Sequence, residues 1–295
     1  MSCADYLERT RNEVDATLDR LLPAAAAPAS RLADAMRYAV LGGGKRLRPI
    51  LAIACCESCG GTREHALEPA AAIELLHTYS LVHDDLPSMD DDDLRRGRAT
   101  VHRAYGEAEA VLAGDALHTL TFDVAARYPV GPDRSATRLA VVRCLAGAAG
   151  INGMVGGQIA DLEHEGKTVD PATLRWIHRH KTGALFAASA EIGGLVARAD
   201  PPRLAALRGF GVALGLAFQI ADDILDRTAT SASLGKTAGK DVRAGKATFP
   251  ARFGVEASRA EAESLVQQAR AQLEPLGLLS AALAAIADRS VRRSS

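Results

Sequence analysis

FQIADDILD, residues 218–226, places Gln219, Asp222, Asp223 and Asp226 at i, i+3, i+4 and i+7, so one helical stripe carries all four. Phe218, Ile220, Ile224 and Leu225 fill the remaining directions, and residues 209–217 before them, GFGVALGLA, are apolar or glycine. Such a helix is buried over most of its circumference while its carboxylates project into an enclosed space, which is tolerable only with cations nearby. A solvated acidic face would intersperse lysine and glutamate. Working outward, apolar residues recur at helical rather than alternating spacing, and no paired alternating runs announce a hairpin. The predicted class is all-α in a single domain, 1–295, with helices near 3–22, 30–41, 48–59, 64–85, 103–127, 134–163, 171–196, 202–226, 247–272 and 277–292. The breaks at 41–49, 86–100, 128–133 and 227–246 are polar or rich in glycine and proline, and none reads as an interdomain linker.

A second acidic cluster, DDLPSMDDDD, begins at Asp84. His77, Ser80 and Asp84 share a face of a helix that Pro87 stops, so the acids gather at a helix mouth. Asp84 and Asp90 can flank one metal site from either side of the Leu86–Met89 turn, while Asp91 to Asp93 read as partly solvated. The spacing is not that of a calcium loop, which needs a central glycine and a terminal glutamate. Two carboxylate banks facing each other call for magnesium, a hard cation that keeps several waters and completes its shell with substrate phosphates, so a diphosphate is the expected guest. Basic residues next to glycine or threonine complete the pattern: Lys45 and Arg48 behind a triple glycine, Arg95 and Arg96 after the acids, then Lys181, Lys236, Lys240 and Lys246. Arginine forks suit phosphate oxygens, and glycines let backbone approach them. LGGGKRLRP, residues 41–49, is not a P-loop, and a basic surface turn is its plain alternative.

A formal net charge of −1 over 295 residues argues against nucleic acid as the main partner. The first residues, MSCADYLERTRNEVDATLDRLL, form an amphipathic acidic pattern unlike a signal peptide, and the apolar run from Gly209 to Ala221 falls short of the ~20 residues a membrane span needs. A soluble cytoplasmic protein is expected. The odd set of cysteines, Cys3, Cys55, Cys56, Cys59 and Cys144, argues against a disulfide framework, and the lone CESC at 56–59 reads as structural burial rather than a zinc or redox site.

GGGKRLRP at 42–49, HTYSLVHDDLPSMDDDDLRRG at 77–97, GMVGGQIADLEHEG at 153–166, IHRHKTGAL at 177–185, and FQIADDILD with LGKTAGKD over 218–241 together resemble the trans-isoprenyl diphosphate synthase family, most closely its bacterial farnesyl branch. That resemblance implies a large bundle of about ten helices around a central cavity. It implies magnesium held by Asp84, Asp90 and Asp222, with Asp85, Asp223 and Asp226 in support. Arg95, Lys181 and Lys236 would clamp an allylic diphosphate; Lys45, Arg48, His77 and Arg96 would hold isopentenyl diphosphate, with Gln158 also in the substrate site. Thr182 and Gln219 would direct oxygen dipoles at a developing carbocation, and residues 227–246 would close over it. Tyr79 and Ser80 would floor the tail pocket, the tyrosine matching enzymes that stop at fifteen carbons; a geranylgeranyl product is the alternative. DDILD disfavours a terpene cyclase, whose second metal site mixes other ligands, and Glu-x-x-His pairs of a di-iron bundle are missing. The family is commonly homodimeric. One departure is the tail ADRSVRRSS, where Arg292 and Arg293 stand in place of the usual aromatic and apolar residues.

Overall fold

The structure is a computed structural model that describes residues 2–26, 28–228 and 246–291. Helices α1 (Cys3–Leu21), α2 (Ser30–Leu41), α3 (Leu47–Ser58) and α4 (Arg63–Asp84) lead to a short hairpin, β1 (Leu94–Arg95) and β2 (Arg98–Ala99). Then follow α5 (Val101–Tyr105), α6 (Glu107–Arg127), α7 (Ser135–Ala149), α8 (Met154–Glu163) and α9 (Pro171–His178). A π-helical segment, Arg179–Gly183, runs into α10 (Ala184–Val196), and α11 spans Pro201–Thr228. The chain closes with α12 (Phe249–Phe253), α13 (Val255–Leu273), a 3-10 turn at Glu274–Leu276 and α14 (Ala281–Val291).

Helices form where expected, but several predicted ones are divided, each for a local reason. Gly106 at φ 116° parts α5 from α6, and Gly254 at φ 85° parts α12 from α13; a side chain at either position would be strained. The predicted helix 134–163 breaks at Gly150–Gly153, where a Cβ on Gly153 would sit 2.2 Å from the Ala148 carbonyl oxygen. The hairpin was not foreseen. Its turn is Arg96-Gly97, both at positive φ (55° and 75°), the backbone of a tight hairpin without the usual asparagine.

α4 and α11, the carriers of the aspartate clusters, are apolar on nearly every face. Ala70 to Ile73, Leu75 and Leu76 are buried on α4, and Phe210, Leu214, Ala217 and Ile220 on α11. One core gathers α4, α6 and α7, a second gathers α11, α13 and α14, and α10 packs against both α4 and α11. The stretches Ser135–Glu163 and Pro201–Thr228 are long and apolar enough to cross a membrane by composition alone. The first is the pair α7 and α8 with the glycine break between them, and the second is α11, which is central to the core.

Glycines allow α10 and α11 to approach. A Cβ on Gly211 would lie 2.6 Å from both the Ala187 Cα and the Phe186 carbonyl oxygen, backbone atoms that cannot swing aside. Gly211→Val is therefore expected to destabilise by about 1–3 kcal/mol. A thermal melt checks it, and an unchanged midpoint would mean that the two helices separate freely.

Candidate active site

Between the two cores lies a cavity of about 1050 Å³, and both aspartate clusters reach it: Asp84 from the end of α4 and Asp222 from α11. Lys45 approaches from the glycine loop, Arg48 from the start of α3, Arg95 and Arg96 from the hairpin, His77, Tyr79 and Ser80 from α4. Gln158 of α8, Lys181 and Thr182 of the π segment and Gln219 of α11 complete the polar part of the wall. Apolar side chains, among them Met154, Leu185 and Phe218, line the rest.

The first cluster is a folded turn rather than a strip. Asp90 N donates to the Asp84 carbonyl at 2.8 Å and Asp92 N to that of Asp85 at 3.2 Å, with Asp91 at φ 47°. The turn thus brings the Asp90 backbone beside Asp84, but of the two only Asp84 lines the cavity, and the Asp90 carboxylate pairs with Lys246. Burial raises the Asp84 carboxyl to about 6, with Asp90 and Asp85 adding to the rise and Lys181 and Arg95 opposing it. A carboxylate so placed lacks positive charge. Asp85, 3 % exposed, faces away from the cavity and receives Arg95 Nε at 3.0 Å. Asp92 corrects an expectation: it is buried, 3.4 Å from Arg95 Nη2, whereas Asp93 is solvated and pairs with Arg103. Lys246 Nζ lies 2.9 Å from Asp90 Oδ1, tying the chain after residue 245 to the first cluster.

The π segment gives the lysine-threonine pair its aim. Hydrogen bonds from i to i+5 insert one extra residue into the turn, a device common at functional sites, and Lys181 and Thr182 of this segment line the cavity. Gly157 lets α8 press against it, since a Cβ there would fall 2.2 Å from Lys181 N. The same approach brings Asp161 Oδ2 to 2.5 Å from Lys181 Nζ. Thr182 Oγ1 donates to Gln219 Oε1 at 2.6 Å, and Gln219 Nε2 donates to Asp223 Oδ1 at 2.8 Å. Asp223 Oδ2 accepts Phe249 N at 3.1 Å, so this carboxylate orients the glutamine amide and anchors α12 instead of facing the cavity. Asp226 is likewise buried and off the cavity wall. His178, pushed down to about 4 by burial, packs 3.6 Å from Asp223.

On the basic side, the Arg48 guanidinium lies 4.7 Å from the Phe186 ring centre. Burial among Arg48, Arg96, Arg95 and Arg46 holds His77 well below its usual range, so it is neutral near pH 7. Arg46, not among the expected site residues, is 2 % exposed and bridges Asp15 and Glu74. Cys55 and Cys56 are buried thiols; burial pushes Cys56 up to about 12. Lys236, Lys240, nearly all of the expected lid at 227–246, Arg292 and Arg293 lie outside the described residues.

The donor set suits a hard divalent cation: carboxylate oxygens from two helices on one cavity, one carboxylate short of positive charge, and open volume for waters and phosphate oxygens. Among the described residues, no three acidic, histidine or cysteine side chains converge closely enough to hold a metal by themselves. A cation here would need a phosphate ligand to join the two walls.

Comparison with known proteins agrees. Residues 29–284 match the family described as Polyprenyl synthetase. The chain is 44% identical to the farnesyl diphosphate synthase of Escherichia coli, covering 100% of both, and 42% identical to the geranylgeranyl diphosphate synthase of Cyanophora paradoxa, covering 98% of this chain and 96% of that one. The crystal structure of a geranyltransferase from Helicobacter pylori, complexed with magnesium and isoprenyl diphosphate, superposes with a TM-score of 0.84 at 31% identity, covering 97% of this chain and 96% of that one. With its two aspartate clusters on one cavity and kinship over nearly its full length, the chain belongs to the polyprenyl synthetase family and is a trans-prenyltransferase.

Proposed function

We propose that this prenyltransferase condenses isopentenyl diphosphate with dimethylallyl and then geranyl diphosphate, releasing farnesyl diphosphate. The observation that carries the reading is the convergence of Asp84 and Asp222, from separate helices, on a single cavity that basic and apolar side chains also line. Asp84, Asp90 and Asp222 would hold magnesium, which supplies positive charge to the leaving diphosphate. Lys181 and Arg95 add fixed positive charge beside it, each held in place by a carboxylate partner, Asp161 and Asp85. The allylic carbon–oxygen bond breaks, the isopentenyl double bond attacks the allylic cation, and the diphosphate takes up the proton that is lost. Thr182 donates its proton to Gln219, so both oxygens keep lone pairs for the cation, and Asp223 fixes the amide that way round. Lys45, Arg48, Arg96 and His77 hold the isopentenyl diphosphate, and Tyr79 ends the tail pocket.

Incubation with isopentenyl and dimethylallyl diphosphates, with and without magnesium, followed by chromatography of the dephosphorylated products, tests the reading. A fifteen-carbon alcohol formed only with magnesium is expected. A twenty-carbon main product favours geranylgeranyl synthesis, and no condensation defeats the proposal.

The enzyme is proposed to act as a soluble cytoplasmic homodimer. Val111, Val155 and Ile159 line the cavity yet are 41%, 47% and 51% exposed, so a second copy over α6 and α8 would seal the apolar end against water. Light scattering after size exclusion is expected to give twice the mass of one chain. The free thiols suit a reducing compartment.

A further inference from the structure

We infer that Glu74 is a positioning residue for the isopentenyl diphosphate pocket, acting through Arg46 and Arg96; the inference rests on the function proposed above. Glu74 lies one helical turn before His77 on α4, is 1% exposed and borders the cavity. Its Oε1 accepts Arg46 Nη1 at 2.8 Å, and Arg96 Nη2 stands 4.0 Å from the same oxygen. Its Oε2 is buried without a hydrogen-bond partner, leaving capacity for a second guanidinium.

These two arginines belong to different arms of the pocket. Arg46 sits in left-handed backbone, φ 47°, at the start of α3, where Nη2 also donates to the Val40 carbonyl at 2.5 Å and Nε to Asp15 at 2.7 Å. So fastened, it sets the directions of its neighbours Lys45 and Arg48, both of which reach the cavity. Arg96 forms the turn of the hairpin, φ 55°, and donates to the Gly43 carbonyl. A Cβ on Gly44 would meet the Arg96 guanidinium at 2.7 Å, so the glycine loop and the hairpin arginine are in close contact. One buried carboxylate therefore lies under the place where the two arms meet, and its charge offsets the repulsion among Lys45, Arg46, Arg48, Arg95 and Arg96. Fixing long side chains before the ligand arrives removes an ordering cost from binding.

Charge alone and positioning give opposite signs for Glu74→Gln. Losing an anion makes the pocket more cationic, which by Coulomb attraction tightens binding of a diphosphate. Losing an anchor loosens Arg46 and leaves Arg96 held by Gly43 without the anion beside it, which weakens it. Positioning predicts a KM for isopentenyl diphosphate raised by about 10-fold, the equivalent of about 1.4 kcal/mol, with the KM for the allylic diphosphate within about 2-fold of wild type. An isopentenyl KM that is unchanged or lower, or an equal rise in both constants, overturns the inference, whatever happens to thermal stability. If Glu74→Gln does not fold, Glu74→Asp keeps the charge but withdraws it by one carbon, and is expected to raise the isopentenyl KM alone; a wild-type value there overturns it too. Wild-type enzyme in the same assay separates the two levels: without condensation by wild type the proposed function itself fails, whereas normal condensation with an indifferent Glu74 variant removes this inference only.

Discussion

Replacing either Asp84 or Asp222 by asparagine is expected to cut turnover by at least ~10²–10³ at saturating substrate, the scale for losing one preorganised electrostatic stabiliser. Asparagine keeps the shape and removes the charge, so the variants should fold while holding a metal–diphosphate poorly. The two residues come from the end of α4 and the last two turns of α11 and reach the same cavity, which makes them parts of a single device. The double variant is accordingly expected to fall little below the worse single one, because groups that act as a unit are not additive. Steady-state rates with both substrates at saturation decide the matter, and a loss of less than about 10-fold in either single variant would remove that aspartate from the metal assignment.

The second large effect is on the product rather than the rate. Tyr79 lines the cavity and is clamped edge-on by rings, His118 at 4.9 Å and His83 at 5.5 Å between centroids, with Phe122 edge-on behind His118 at 5.1 Å. Tyr79→Ala removes the first obstruction, and each further CH₂ that enters is favoured by ~0.8 kcal/mol. The main product is expected to shift from fifteen to twenty carbons, with His118 as the next barrier. Product chromatography reads this directly, and an unaltered fifteen-carbon product would take Tyr79 out of its role as the stop.

What the sequence revealed and what it hid divide along the range of the interactions. The helix through Gln219, Asp222, Asp223 and Asp226 was legible because helical spacing is local, but only Gln219 and Asp222 line the cavity, because Asp223 is taken up by Gln219 and Phe249 and Asp226 is buried away from it. The Asp84–Asp90 turn was legible because Pro87 ends α4 and the acids follow at once. Isolated glycines misled: Gly106 and Gly254 are tolerated in a helical pattern, yet both adopt positive φ and divide predicted helices, and the GINGM run at 150–154 was a break in plain view. The hairpin was hidden because its strands are two residues long and its turn uses Arg-Gly.

Partnerships made across the fold left no local trace. Nothing near Asp161 announces Lys181, and the Asp90–Lys246 contact joins residues in different halves of the chain. Asp92 looked like solvated filler in a run of acids, although its neighbour three residues on, Arg95, was the signal for burial. Arg46 was passed over between Lys45 and Arg48. Its place two residues after the triple glycine could have marked it as backbone in an unusual conformation, but its partners Glu74 and Asp15 come from α4 and α1.

If Asp84 and Asp222 act together on a single metal-bound diphosphate, its binding depends on the metal and on both aspartates. Calorimetric titration of inorganic diphosphate into the wild-type protein, with magnesium and then with EDTA, tests it without depending on turnover. Binding is expected to require magnesium and to be lost in both Asp84→Asn and Asp222→Asn. Binding of equal strength in EDTA, or binding that survives removal of either wall, would contradict it.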